Sequence, residues 1–372
     1  MEWHVWDFPD NIRVYFKDEF REALYKKLIE ICKTRIEIAR RLKSDKETIR
    51  RCLYLGYRKH KNGRKVKTYT SVPLIKKIVE IFGSKLGEDF IQNFDKSVIA
   101  YRSWNGWNVI NPILPIKETP RLYSIVFHLI GDGNASIRHS PFYSNKCEEL
   151  IKEFTQNLQI LGRIETKDKP RENGVIVVYF PKAITDILKQ IFQVKLTKPE
   201  CLPERVFKSS LKCKTSAIRS FVDDEGCVSG SFSITQKSGN LLKQFKKLLK
   251  SIGIKTGKIC EENGVHKIYV FSEHHEKYLK MIGFTNPRKK KTLEESIRKR
   301  KIRKERIRAD QKQYKILELL NENYPLTKHE IACSLRLTSY SALDTLLNLK
   351  EKGKVIGKPV GKNKPYLWYP KV

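Results

Sequence analysis

The stretch "IRSFVDDEG", residues 218–226, is an apolar segment that ends in three consecutive acids and a glycine. If the segment is a helix, its dipole places partial negative charge at the end where the acids lie, so the acids need a cationic partner. The chain as a whole is strongly basic, with 75 Lys and Arg against 41 Asp and Glu and a formal net charge of +34. The identity of that partner is the first question that the sequence raises.

A second copy of this pattern occurs earlier in the chain. Shifted by 91 residues, segment 142–162 aligns without a gap with segment 233–253. The identical pairs are Lys146 and Lys237, Leu150 and Leu241, Lys152 and Lys243, Phe154 and Phe245, Leu158 and Leu249, and Gly162 and Gly253. A similar shift places "IVFHLIGDG", residues 125–133, opposite "IRSFVDDEG". The register of these matches predicts two structurally equivalent halves.

Local signals predict the elements of each half. Thr119 is a suitable N-cap and Pro120 a suitable first residue for a helix that runs towards Gly133. Alternation in "SFSITQ" predicts a strand with Phe232 and Ile234 towards a core. The outward residues of that strand are Ser231, Ser233 and Thr235. Helix, strands, helix, strand and helix form an α+β unit, and two such units predict a pseudo-dimer whose axis brings Asp132 and Glu225 together.

The two opening helices resemble the paired motifs of LAGLIDADG homing endonucleases. Residues 218–226 have the small Ser220 at the helix-packing position and Glu225 at the metal-binding position, whereas residues 125–133 match at their end and depart at Phe127. The resemblance covers about residues 105–296. It implies a pseudo-two-fold core of two αββαβα halves with saddle-shaped sheets, halves about 119–195 and 203–296.

The resemblance also implies roles for individual residues. Asp132 and Glu225 would hold Mg²⁺ or Mn²⁺, and Lys146 and Lys237 would be the basic active-site residues. Asp223 and Asp224 would be helix-interface or capping residues. Ser231, Ser233 and Thr235 would lie on a sheet face that contacts double-stranded DNA. Divalent cations suit phosphodiester hydrolysis because they activate water and neutralise charge on the attacking and leaving oxygens.

The segment 1–104 contains a helix-turn-helix pattern, and we expect an all-α DNA-binding domain. In "TRIEIARRLKSDKETIRRCLYLG", Ile36, Ile38, Ala39 and Leu42 are expected to face inward, and Ser44 is the expected cap of a second helix. The candidate DNA-binding residues on that helix are Lys46, Arg50 and Arg51, with Glu47 beside them. An ordinary amphipathic helix pair is the alternative interpretation.

The segment 311–372 resembles a winged helix. Thr327 is expected to start one helix, Ser339 to cap the next and Gly353 to end it, before a Gly- and Lys-rich turn and an aromatic strand. Ser341 and Lys362 are the candidate DNA-binding residues, with contact to protein as the alternative. Residues 297–310 are basic and predict a linker or a helix along phosphates.

Composition limits the classes of protein. No apolar run approaches the ~18 residues needed to cross a bilayer, and the first residues lack a signal peptide's regions, so we expect a cytoplasmic protein. The eight cysteines show no metal-ligand spacing, and we expect reduced, mostly buried thiols. Neither end resembles an intein boundary, so a stand-alone chain is expected. The Lys- and Glu-rich composition hints at a thermophile.

The sequence favours one function and leaves two others open. The favoured interpretation is a monomeric, metal-dependent, site-specific DNA endonuclease with additional DNA-reading domains. The second is a catalytically silent DNA-binding regulator, because a sporulation-regulator family combines a LAGLIDADG scaffold with a helix-turn-helix. The third is a protein that acts on RNA, as some LAGLIDADG relatives assist intron splicing.

Overall fold

The computed structural model describes residues 1–59, 65–104, 106–135, 140–304, 309–335, 337–359 and 365–371. The chain divides into two compact units, residues 1–293 and residues 294–372. Helices and antiparallel sheets occur in both units, which confirms the α+β class. In the described ranges, no helix combines the length and the apolar composition that crossing a membrane requires.

The N-terminal part of the first unit mixes helices with strands. Its elements are β1 (Glu2–Trp3), β2 (Ile12–Phe16), α1 (Asp18–Cys32), α2 (Arg35–Arg41), α3 (Lys46–Ile49, continued by a π-helical segment Arg50–Leu55), β3 (Tyr57–Lys59), β4 (Lys65–Lys67), β5 (Thr70–Ser71), α4 (Val72–Leu86), α5 (Glu88–Lys96), β6 (Val98–Ser103), β7 (Val109–Ile110) and β8 (Ile116–Lys117). Strands β5, β2, β6 and β7 form one antiparallel sheet in that order, β3 pairs with β4, and β1 pairs with β8.

Three expectations for this region are wrong. The region is not all-α, because the alternating segment Ile12–Phe16 buries every second side chain as a strand against β6. The details of the helix pair also differ. Ile36 is 61% exposed rather than inward, and Asp45, not Ser44, caps α3 by accepting a hydrogen bond from the Thr48 amide.

The repeat corresponds to two halves with one topology. The first half contains α6 (Pro120–Gly131), β9 (Gly133–Asn134), β10 (Phe142–Asn145), α7 (Glu148–Leu158), β11 (Lys167–Pro170), β12 (Ile176–Tyr179) and α8 (Lys182–Phe192). The second contains α9 (Arg205–Lys208), α10 (Leu211–Glu225), β13 (Gly226–Ser229), β14 (Ser231–Gln236), α11 (Gly239–Ser251), β15 (Cys260–Glu262), β16 (Val265–Tyr269) and α12 (His275–Met281). The sheet orders are β9-β10-β12-β11 and β13-β14-β16-β15. The prediction of two equivalent halves is confirmed.

Each half has one strand more than expected, so the order is αββαββα rather than αββαβα. The additional strands are β11 and β15, at the outer edges of the two sheets. Their residues are all exposed and mostly charged, so they lack the alternation that marks a half-buried strand. Only pairing with β12 and β16 shows them to be strands.

A capping residue begins each opening helix, as predicted for Thr119. Thr119 accepts a hydrogen bond from the Leu122 amide at 3.3 Å, and Pro120 is the first residue of α6. At the start of α10, Ser210 accepts from the Cys213 amide at 3.3 Å. Both caps satisfy donors that a helix start leaves without partners.

The chain continues through α13 (Pro287–Lys304) into the second unit, which contains α14 (Ala309–Glu322), β17 (Leu326–Thr327), α15 (Lys328–Ser334), α16 (Ser339–Glu351), β18 (Val355–Pro359) and β19 (Tyr366–Pro370). Strands β17, β19 and β18 form a sheet over a core that includes Ile316, Leu346 and Trp368. Thr327 caps α15 as expected, but the cap of α16 is Thr338 rather than Ser339, since its hydroxyl accepts from the Ser341 amide.

The cysteines are all free, as expected, but most are not buried. Only Cys32, Cys52 and Cys213 are buried, whereas Cys201, Cys227, Cys260 and Cys333 are exposed. Cys227 is an outward-facing residue of β13, and Cys260 is on β15, whose residues are all exposed.

Candidate active site

Helices α6 and α10 cross each other at close range. The hydroxyl of Ser220 donates to the hydroxyl of Ser124 at 2.8 Å, and that of Ser216 donates to the carbonyl of Pro120 at 2.8 Å. A Cβ atom on Gly131 would stand 2.8 Å from the Cβ of Asp224. Small side chains therefore permit the approach, which brings the C-terminal ends of both helices to one place.

Two carboxylates lie at these helix ends. Asp132 follows the last residue of α6, and Glu225 is the last residue of α10. Asn145 donates its amide hydrogen to Asp132 Oδ2 at 3.0 Å, and Gln236 donates to Glu225 Oε1 at 3.1 Å. These amides end β10 and β14 and are 91 positions apart, so they are equivalent in the repeat.

Burial and mutual repulsion act on this acid pair. Burial raises the pKa of Asp132 to about 7, and the nearby charge of Asp224 adds to the shift. Burial also raises the pKa of Glu225 to about 8, and Asp132 contributes by repulsion. Two partly desolvated carboxylates that repel each other form a site where a cation relieves an unfavourable charge.

The donor chemistry of the pair fits a hard divalent cation. Mg²⁺ takes oxygen ligands and is commonly held by one or two carboxylates together with substrate phosphate. In the described part of the chain, no group of three or more His, Cys, Asp or Glu is arranged to hold a metal. Asp132 and Glu225 are therefore the residues that would hold such an ion, with the remaining ligands supplied from outside the protein.

Asp224 belongs to a buried network rather than to the pair. Its Oδ2 lies 2.9 Å from His128 Nδ1, and its Oδ1 accepts from the Tyr143 hydroxyl at 2.7 Å and from Asn145 Nδ2 at 3.2 Å. The side chains of His128 and Asp224 have no exposed surface. Burial opposes protonation of His128, but the charge of Asp224 raises its pKa. Through Asn145 the network touches Asp132 and supports its orientation.

Lys289 supplies the cation that the acidic end of α10 requires. Its Nζ donates to the carbonyls of Val222 and Asp223, which are among the last carbonyls of the helix. Asp223 in turn accepts from the amides of Thr285 and Asn286, at 2.9 and 3.1 Å, just before α13. The two helix ends thus compensate each other's charge.

Lys146 and Lys237 occupy equivalent exposed positions between a strand and the next helix. Lys237 directly follows Gln236, whose side-chain oxygen accepts from the Lys237 amide at 2.8 Å. Each lysine thus follows the amide residue that contacts an acid. Their catalytic role stays a prediction.

Of the three residues expected to be accessible on the outer face of the second sheet, one is not. Ser231 is exposed and Thr235 is half-buried, but Ser233 is only 2% exposed. Ser233 is on a central strand, with Cys227 and Tyr269 as its cross-strand partners. These larger neighbours cover the short side chain, so Ser233 is not an accessible DNA contact.

The candidate DNA-binding residues on α3 and its continuation are accessible but paired. Lys46 is exposed, and Arg50 and Arg51 retain 42% and 41% side-chain exposure. The Glu47 carboxylate accepts from Arg50 at 2.7 and 2.8 Å and lies 3.7 Å from Arg51. Contact with a phosphate would compete with this ion pair.

In the second unit, Ser341 is half-buried and its hydroxyl accepts from Lys312 Nζ at 3.0 Å. Lys362 lies outside the described residues.

Reasoning from the sequence missed several residues of this site. Asn145 and Gln236 were aligned by the 91-residue shift, but they are not identical and so carried little weight. His128 and Tyr143 stand among apolar residues, so the sequence pattern does not mark them as polar site residues. Lys289 is one of several basic residues in its segment, and the pattern does not distinguish it from the others. The pairing of unlike amides at equivalent positions was the signal that could have identified the first two.

No family model matches the chain. It is 26% identical over 241 residues to glutamine–fructose-6-phosphate aminotransferase [isomerizing] of Methanocaldococcus jannaschii, a match that covers 61% of this chain. The chain spans only 21% of that protein, so the aminotransferase name carries no statement about activity here.

Among solved structures, the chain is similar to the homing endonuclease I-DmoI in complex with DNA and Ca, at 13% identity and a TM-score of 0.35. That match covers 47% of this chain and 97% of the other. Full-length DUF199/WhiA from Thermatoga maritima is similar at 15% identity and a TM-score of 0.37, over 64% and 93% of the two chains. Both TM-scores lie below 0.5, and neither likeness decides the chemistry of the site.

Proposed function

We propose that the chain is a metal-dependent, site-specific double-strand DNA endonuclease of LAGLIDADG type, with Asp132 and Glu225 as the ligands of Mg²⁺ or Mn²⁺. The observation that supports this most is the acid pair itself, in which each buried carboxylate is held by an amide at the same position of the repeat. Bound there beside a phosphate, the divalent cation supplies activation of water and neutralisation of the leaving oxygen.

The other residues of the site support this function. Asn145 and Gln236 each engage one carboxylate oxygen, which limits the orientations of Asp132 and Glu225. Lys289 donates to a carbonyl at the α10 end, and its positive charge also acts on both carboxylates of the pair. Lys146 and Lys237 are exposed, each directly after the amide residue that contacts an acid, and a lysine there is suited to stabilise the charge that develops on a phosphate.

A DNA-binding regulator that does not cut is the second candidate. It is favoured by the two segments, 1–104 and 311–372, for which the sequence predicts DNA-reading modules. The basic chain suits either candidate, because both require a polyanionic partner. RNA as the partner is the third candidate.

Conservative changes of the two acids distinguish these candidates. Asp132→Asn and Glu225→Gln each remove a charged ligand and keep nearly the same shape, so we expect cleavage to fall at least about 100-fold. DNA binding should persist or improve, because a carboxylate that repels phosphate is removed. Glu30→Gln on the exposed face of α1 makes the same change of charge as a control and should cut like the parent.

The assay incubates each protein with a library of DNA duplexes and Mg²⁺ or Mn²⁺, also at elevated temperature, and sequences the cut ends. A parallel set with EDTA measures binding, and structured RNA serves as the competitor. Specific binding by the parent without cutting, under every metal and temperature, would exclude the endonuclease and favour the regulator. Stronger competition by RNA than by duplex DNA would favour the third candidate.

A further inference from the structure

One face of the N-terminal sheet carries two arginines directly opposite each other. Arg13 on β2 and Arg102 on β6 are cross-strand partners in the antiparallel register. Like charges at such positions destabilise a sheet unless something compensates them. The surroundings of the two guanidinium groups therefore decide what this face can bind.

Both guanidinium groups are stacked on aromatic rings. The Cζ of Arg13 lies 3.3 Å from the ring centroid of Trp104, and that of Arg102 lies 4.1 Å from the centroid of Tyr69. Tyr15 packs against Tyr69 on the same face. We call these five residues the arginine–aromatic face. Stacking holds a guanidinium plane while leaving N–H groups at its edge for a planar anionic acceptor.

A purely structural role explains this face poorly. Trp104 is 63% exposed, so its large ring gains little from burial. The Nε of Arg102 is buried and has no hydrogen-bond partner within the described residues, and a charged donor without an acceptor is costly. Exposed tryptophan beside stacked arginine is typical of binding surfaces, since both residue types are enriched there.

The face is continuous with the outer face of the first repeat sheet. The Tyr69 hydroxyl donates to Asn108 Oδ1 at 3.0 Å, and the adjacent Trp107 ring lies 4.6 Å from Lys167 Nζ. Lys167 is on β11, the outermost strand of that sheet. Lys169 is two residues further along β11 and therefore on the same side of the strand. Its Nζ lies 5.6 Å from the centroid of the Tyr179 ring. Basic and aromatic groups thus form one path from the repeat sheet to the N-terminal sheet.

We infer that this path binds the phosphate backbone of double-stranded DNA beyond the half-site that the first repeat sheet contacts. The inference rests on the proposed function, because that function sets the DNA along the outer faces of the repeat sheets. Duplex backbone fits better than unstacked bases, because Tyr69 already contacts Arg102 and Tyr15, and Trp104 already carries Arg13. The contacts are to phosphate, so they add affinity and length of footprint and little sequence preference.

The test compares two double variants of the full chain that make the same change of charge. Arg13→Gln with Arg102→Gln removes the donors of the arginine–aromatic face. Lys26→Gln with Lys27→Gln removes two exposed charges from α1 and is the control. Equal far-ultraviolet dichroism and similar melting temperatures establish that both variants are folded. A third variant, Arg13→Lys with Arg102→Lys, keeps the charge and loses the stacked fork.

Binding and footprints are measured with EDTA on a duplex selected by the parent protein. The variant with Arg13→Gln and Arg102→Gln, called the arginine variant below, should bind DNA at least about 10-fold more weakly than the parent. It should lose protection at one end of the footprint only, and its slope of log affinity against log salt should be smaller by about 2. The variant with Arg13→Lys and Arg102→Lys should bind with an affinity between those of the parent and the arginine variant. Shortening the duplex by about 10 base pairs at that end should weaken the parent and leave the arginine variant unchanged.

Equal footprints and salt slopes for the arginine variant and the α1 control would overturn the inference. Tighter binding to a duplex whose flank is single-stranded would also overturn it, in favour of base stacking. Cleavage is scored separately with Mg²⁺. If the arginine variant loses the end protection and the parent never cuts, the DNA-binding path is supported and the endonuclease is contradicted. If the parent cuts and the arginine variant keeps the full footprint, the endonuclease is supported and the DNA-binding path is contradicted.

Discussion

Asp223, Asp224 and Glu225 are consecutive, yet each carboxylate has a different environment. Asp223 accepts backbone amides ahead of α13, Asp224 is enclosed by His128 and Tyr143, and Glu225 shares a site with Asp132. Successive residues of a helix point about 100° apart. Three neighbouring acids therefore reach three different environments, and the proposed metal ligand among them is Glu225.

The acid pair predicts how stability depends on pH. Burial raises the folded-state pKa of Asp132 to about 7 and of Glu225 to about 8, well above their unfolded values. The stabilising, protonated forms are complete below the unfolded pKa values near 4 and are lost as pH rises through the folded ones. We expect the melting temperature in EDTA to fall between about pH 5 and pH 8.

Variants of the pair check this cause. Asp132→Asn with Glu225→Gln cannot ionise at these positions and should show a shallower decline, whereas Glu30→Gln should follow the parent. Mg²⁺ should restore stability most at the alkaline end, because it binds the deprotonated pair. Parallel declines for the parent and the double variant, measured by thermal melts at stepped pH, would show that other groups dominate.

At the scale of elements, the crossing of α6 and α10 determines the geometry of the site. The contact depends on Ser124 and Ser220, which are both buried and hydrogen-bonded to each other, and on Gly131 against Asp224. Phe127, which occupies the position expected for a small residue, is fully buried without preventing this approach. The small residue of α6 at the crossing is Ser124, three positions earlier.

Two glycine substitutions measure the closeness of the crossing. Gly131→Ala places a Cβ 2.8 Å from that of Asp224, so we expect a loss of about 1–3 kcal/mol in the free energy of unfolding. Gly83→Ala in α4 meets nothing closer than 3.9 Å and should be neutral or stabilise by up to about 1 kcal/mol. Urea denaturation distinguishes them. Equal effects of the two changes would mean that the helices are not tightly apposed there.

At the scale of the whole molecule, positive charge is distributed over both compact units. The first unit contains the acid pair and the arginine–aromatic face, and the second has its own apolar core around Ile316 and Trp368. A polyanion that contacts several basic surfaces releases many counterions, so affinity for duplex DNA should decrease by orders of magnitude between about 50 and 200 mM salt.

Deletion of residues 305–372 tests the contribution of the second unit. The truncation retains α13 up to Lys304 and hence the contacts of Asp223 and Lys289 at its start. We expect weaker DNA binding, a shorter footprint and a lower salt slope, with cutting at the same position. The measurement is a footprint of both proteins on the selected duplex. An unchanged footprint would indicate that this C-terminal segment contacts protein instead.

Much of the repeat core could be predicted because its signals are local. The cap at Thr119 and the apolar periodicity of the opening helices lie within short windows of sequence, and the 91-residue repeat is found by aligning the sequence with itself. The edge strands β11 and β15 could not be predicted, because exposed polar strands have no periodicity of their own. The N-terminal sheet was missed because its strands are short and separated by helices.

The sequence by itself determined that the core has two equivalent halves, each with a helix that ends in an acid, because periodicity and capping act between near neighbours. Only the tertiary structure decided which groups balance those acids. Lys289 lies more than sixty residues beyond the α10 end, and Asn145 reaches Asp132 from strand β10. The stacking of Arg13 and Arg102 likewise brings together β2, the end of β6 and Tyr69, which lie far apart in the chain. Such contacts depend on how elements pack, and packing between distant segments leaves no local pattern in the sequence.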